Sequence, residues 1–280
     1  MKRPTLLVSL LVGLLALSST GMRDVPVAQS KSSAVFLRYH YAPHETLTYT
    51  FRERITDTSA AASTAPVTTT TALVTYRQRL RVAHVSALGA ATAEVSESTH
   101  TITTTTGARS MVATQPGQAT SVMELYPDSR IYIQALRSTS AGNAGHVPVF
   151  PARPVAPGAQ WVRRVTHNLG RFFVTPPVIT ITEHLTFTGY GVVNGERVAE
   201  IAIAVKAQRS GEAPPGSVWP KAPVTTTYTA TSTLSIGLSS GYIVRSVEDS
   251  ATTVREASGK RSVAPGGWFM LATHSAMRHI

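Results

Sequence analysis

In Tyr76-Arg77-Gln78-Arg79-Leu80-Arg81-Val82, arginine occupies every second position from 77 to 81. Successive side chains of a β-strand point to opposite faces, so this run sets three arginines on one face and Leu80 and Val82 on the other. The same period of two recurs in Val178-Ile179-Thr180-Ile181-Thr182 and in Tyr242-Ile243-Val244-Arg245-Ser246-Val247. The chain holds 38 threonines, with runs at 68–71, 103–106 and 225–227. Threonine suits a pleated surface through its branched Cβ and a wet face through its hydroxyl. Beyond the N-terminus no window combines a helix period with caps. The pattern predicts an all-β protein of antiparallel strands at short spacing.

The chain also matches itself, in order. Ala42-Pro43-His44-Glu45-Thr46-Leu47 aligns with Ala156-Pro157-Gly158-Ala159-Gln160-Trp161, and Arg79-Leu80 with His184-Leu185. The hairpin tip Leu88-Gly89 aligns with Asn194-Gly195, where Asn-Gly is a strong hairpin signal. Ala93-Glu94-Val95 aligns with Ala199-Glu200-Ile201, and residues 128–133 align with 239–244. The expected fold is therefore a pair of antiparallel meanders from an internal duplication, forming a large curved sheet, half-barrel or sandwich after a signal peptide. The expected divisions are a first repeat over 34–137, a linker and Pro-rich crossover over 138–158, and a second repeat over 159–280. Residues 60–66 and 209–223 read as long loops. The polar stretch 138–145 has linker composition, and Pro151, Pro154 and Pro157 suit an extended segment outside a central strand.

Met1-Lys2-Arg3 followed by the apolar run 5–17 has the layout of a secretory signal peptide, with small residues at Ser18, Ser19 and Gly21. Thirteen residues fall short of the ~20 that cross a bilayer as a helix. The expectation is a leader over 1–21, a flexible segment over 22–33, export to the periplasm or the exterior, and no transmembrane span after cleavage. With no cysteine, disulfides, thiolate-bound metal and a lipid anchor on an N-terminal cysteine are excluded. The net charge of +11 becomes +9 without Lys2 and Arg3, with 24 basic residues against 15 acidic. That balance favours anionic partners, and export argues against nucleic acid.

Gly237-Leu238-Ser239-Ser240-Gly241 matches G-x-S-x-G, and Asp249 and His274 follow in the order serine hydrolases use. A nucleophile elbow needs a strand turning into a helix. Here a strand pattern stands on both sides, so a β-turn is expected and no catalytic serine. His40 and His44 have i, i+4 spacing, which brings two imidazoles together only on a helix. Pro43 points to a strand entering a turn, and no metal site is expected. His84, His100, His167 and His184 show no acidic partner at ligand spacing, and His274 and His279 fall in a closing strand at 268–280. Arg77, Arg79 and Arg81, about 7 Å apart successively on one strand face, are the candidate anion-contacting residues. The rival expectation pairs them with Glu94 or Glu97 across a hairpin. Phe172-Phe173 and Trp268-Phe269 are each expected to pack one ring inward.

The segment FPARPVAPGAQW resembles a P-x-x-P-V-x-x-G-x-x-W stretch of uncharacterised secreted bacterial all-β proteins, where it opens the second half of a β-rich domain. The resemblance implies compartment and fold, and no activity. The function expected from the residues is a non-enzymatic exported protein without a cofactor, binding an apolar or amphiphilic ligand in a curled sheet. The alternative is a structural or interaction protein contacting anionic surface polymers or partner proteins, and a serine hydrolase is the least favoured.

Overall fold

A computed structural model describes residues 33–60, 66–117, 120–128, 131–133, 150–168, 178–213, 223–256 and 268–280. The leader, the segment 22–32, the linker 138–145 and the pair Phe172-Phe173 lie outside them, as do the side chains of Trp268 and Phe269. The described residues form strands and no helix. In chain order they are β1 (Thr46–Ala60), β2 (Thr68–Val85), β3 (Ala91–Glu97), β4 (His100–Thr106), β5 (Arg109–Gln115), β6 (Ser121–Leu125) and β7 (Ile131–Ile133). Then come β8 (Gln160–Asn168), β9 (Val178–Val193), β10 (Glu196–Glu212), β11 (Pro223–Gly237), β12 (Ile243–Glu256) and β13 (Trp268–His279).

All thirteen belong to one antiparallel sheet, ordered β7-β6-β3-β2-β1-β13-β12-β11-β10-β9-β8. The hairpin β4–β5 branches from the first half of β2, while β3 pairs with its second half. The alternation behaves as expected in β1, where Leu47, Tyr49 and Phe51 are buried between threonines and Arg52. Val82 is fully buried opposite the three arginines, and Ile181 is buried beside exposed Thr180. In β12 the simple period fails. A bulge shifts the register at Ser235/Ile236, so Ile243 and Val244 are buried in succession. Residues 209–212 are not loop: β10 continues through them, pairing Arg209 with Thr226 and Glu212 with Pro223. Threonine-rich β11 gives them a partner that their own composition does not announce.

The sheet is open yet strongly curled. Tyr190 on β9 donates its hydroxyl to Ser33 O at 2.7 Å, and Tyr39 N donates to Pro127 O, just past β6, at 2.8 Å. On a flat sheet β9 and β6 would stand about 38 Å apart, whereas the six residues from Ser33 to Tyr39 reach about 21 Å at full extension. Only a rolled sheet brings those strands within that reach. The extended segment 33–45 therefore closes one end of a half-barrel. Leu37 and Tyr39 enter its core beside Phe150 and Val155 of the Pro-rich crossover. The described residues of that crossover, 150–158, form no regular strand and make a single bridge, Val35 to Val155.

The two halves are built alike where the sequence matches. Glu45 N donates to Ala42 O and Ala159 N to Ala156 O, at 3.2 and 3.0 Å. His44 N reaches Val82 O as Gly158 N reaches Phe187 O, and Val82 N and Phe187 N return bonds to Glu45 O and Ala159 O. From β1 to β7, and again from β8 to β13, the chain crosses the sheet in the same direction.

Candidate functional site

Ser239 lies in the β11–β12 turn, with strands on both sides. Its Oγ donates to Glu196 Oε1 at 2.7 Å, and Ser240 N donates to the same oxygen at 2.8 Å. Burial pushes the Glu196 carboxyl up, but these bonds outweigh it and hold the group below the usual carboxylate range. Both glycines of the motif have local causes. A Cβ on Gly237 would run into the Glu196 carboxylate, and one on Gly241, at φ 69°, would stand 2.6 Å from His40 Cβ. The G-x-S-x-G spelling is thus a turn that accommodates a carboxylate and a crossing backbone.

Asp249 and His274 do meet, but elsewhere. They are cross-strand partners on β12 and β13, with His274 Nδ1 2.8 Å from Asp249 Oδ1. Asp249 lies six residues past the start of β12, about 20 Å along the strand from the Ser239 turn. No triad is assembled. Among the described residues, no three His, Asp or Glu side chains gather as a metal site. His44 sits in the turn after Pro43, and His40 donates its backbone N–H to Gly241 O. His100 corrects an expectation: its Nε2 is 3.2 Å from Glu97 Oε2, and its ring stacks on Tyr76. The pair forms three residues apart across the β3–β4 connection, which strand spacing does not reveal.

Arg77, Arg79 and Arg81 are exposed on the outer face. Only Arg81 has a carboxylate within ion-pair distance among the described residues, Glu94 at 3.7 Å. Glu97, the other expected partner, bonds Gln78 and His100 instead. The registers add four exposed arginines to the same face: Arg52 and Arg54 on β1, Arg278 on β13 and Arg245 on β12. Arg278 hydrogen-bonds Asn194 Oδ1, and Arg245 lies two strands from Glu200, whose carboxyl is raised by burial against the opposing pull of the Ser235 bond and the Arg245 charge. Sequence reasoning found one column of this patch; the other columns need the pairing of β1 with β13.

Beside the arginines the same face is grooved. One groove of about 380 Å³ is lined by Arg54, Thr231, Asp249, Ala251, Ala272 and His274, among others. A second, of about 340 Å³, shares Thr231 and Asp249 and extends to His184. Its floor is Ala202 and Ala204.

On the inner face, one row crosses four strands: Ser232, Glu248, Ser275 and Glu53. Glu53 accepts a bond from Tyr76 Oη at 3.2 Å. Burial raises its carboxyl, and burial pushes that of Glu248 up to about 7. Ser232 Oγ and Ser246 Oγ are buried with no partner among the described residues. Nearby, buried Glu183 is matched by Arg163 of β8.

Comparison with protein-family models finds no match to the chain, and comparison with curated proteins finds none. Among the described residues, no helix is long and apolar enough to cross a membrane.

Proposed function

We propose that this is an exported, non-enzymatic protein that docks onto anionic surface polymers through the outer face of its sheet. One observation carries this: seven exposed arginines stand on four neighbouring strands, and among the described residues a single one of them faces a carboxylate at ion-pair distance. Guanidinium groups suit carboxylate, sulfate and phosphate groups, and those without a carboxylate at ion-pair distance give up no salt bridge on binding. A rolled sheet is a rigid support for such an array. The other function expected from sequence, an amphiphilic ligand inside the curl, draws support from the polar row at Glu53 and Glu248. It is the weaker of the two, because Leu37, Tyr39, Phe150 and Val155 take up the apolar end of that space.

The test is retention on immobilised dextran sulfate as salt rises. The wild type should bind at low salt and elute as salt screens the charges, and the Arg77→Gln/Arg79→Gln double variant should elute earlier. No binding at low salt, or identical elution of the two proteins, would overturn the proposal.

A further inference from the structure

We infer that the two grooves sharing Thr231 and Asp249 form one trough, and that its occupant is a hydroxyl-rich acidic polysaccharide. This rests on the docking function just proposed and names the partner more closely.

The trough follows one row of cross-strand neighbours. Arg54 pairs with His274, His274 with Asp249, Asp249 with Thr231, Thr231 with Ala204 and Ala204 with His184. Five strand steps make it about 24 Å long. Its depth comes from small residues, since Ala202, Ala204, Ala251 and Ala272 stand where longer side chains would fill it.

The chemistry along the row selects the occupant. Arg54 stands at one end, and Lys206, the exposed neighbour of Thr229, stands towards the other. Between them is the Asp249 carboxylate, 62% exposed and flanked by His274 and threonine hydroxyls. A polyphosphate carries an anion on every unit and would press one against Asp249. A polysaccharide with spaced acid groups can place those at the cations and set a neutral hydroxylated unit at Asp249, which accepts hydrogen bonds from it. Threonine hydroxyls both donate and accept, as sugar hydroxyls require. A bilayer is a poor fit, because none of the exposed large apolar side chains among the described residues lines the trough.

The experiment measures affinity of the full chain for three probes: hyaluronan, in which acidic and neutral sugars alternate, long-chain polyphosphate and phosphatidylglycerol vesicles. Hyaluronan should bind at least tenfold more tightly than either of the others at equal salt. Ala251→Leu, which fills the trough, should weaken hyaluronan at least tenfold and leave polyphosphate unchanged. Asp249→Asn, an exposed and nearly isosteric change, serves if the leucine variant does not fold; it should weaken hyaluronan and strengthen polyphosphate. Polyphosphate or vesicles binding as tightly as hyaluronan, or hyaluronan affinity unchanged in both variants, overturns the assignment of the trough. If no probe binds the wild type at low salt, the docking function itself falls.

Discussion

His44 and Gly158 occupy the same position in two turns built with the same hydrogen bonds, and both adopt positive φ, 65° and 91°. Each turn delivers the chain into the first strand of its half, β1 or β8, and ties it to the long strand that follows. A histidine in the left-handed region carries a steric cost that glycine escapes. The first half therefore keeps a strained residue where the second has a relaxed one.

His44→Gly should relieve that strain and lose part of the gain to a more flexible unfolded chain, for a net stabilisation under about 1 kcal/mol. Gly158→Ala introduces the strain and should destabilise by about 1–2 kcal/mol. Urea unfolding of the two variants beside the wild type checks both signs, and equal effects would show that the turns are not equivalent.

In the β11–β12 turn, Gly241→Ala combines a left-handed backbone with overlap on His40 and should cost about 2–4 kcal/mol. Gly107→Ala is the control: its φ is also positive, at 57°, but a Cβ there meets nothing within 4 Å, so only the backbone cost of about 1–2 kcal/mol applies. Ser239→Ala should lower stability by at most about 1 kcal/mol, for one exposed bond to Glu196. A fluorophosphonate probe should leave Ser239 unlabelled in the wild type.

The alternation of β1 and β2 could be read residue by residue, since apolar and polar side chains there differ in kind. Glu53 breaks the rule by standing on the buried face, where the hydroxyl of Tyr76, diagonal to it on β2, donates to its carboxylate. The branch at β2 was not legible, because β4 is almost all threonine and carries no sign of which strand it joins. Eleven residues separate β12 from β13, too many for a tight turn to set register, so Asp249 and His274 could be noticed in order but not paired. For the same reason the arginine face was visible as one column and not as a patch.

Within that patch Glu94 is the nearest anion to the column on β2, and it holds Arg81. Glu94→Gln should move elution from dextran sulfate to higher salt, whereas Arg77→Gln should move it lower. An exposed pair of this kind contributes little to stability, so melting temperatures should stay within a degree or two in both variants. Elution shifting the same way in both would show that the column does not touch the polymer.

Glu248 ties the inner row to pH. Burial raises its carboxyl most, Glu183 and Asp249 add to that, and bonds from Ser250 and Tyr228 oppose it, leaving the folded value near 7 against 4.5 unfolded. Between those values the folded chain keeps a proton that the unfolded chain has released, so stability falls as pH rises through the window. The gap corresponds to roughly 3 kcal/mol at most, and to less where water reaches the half-buried group. Glu53, raised by burial on the same row, should add a smaller slope of the same sign. Chemical denaturation at pH 4.5, 6 and 8 should therefore show a loss of stability toward pH 8 that Glu248→Gln largely removes. A slope unchanged in that variant would place the buried proton elsewhere.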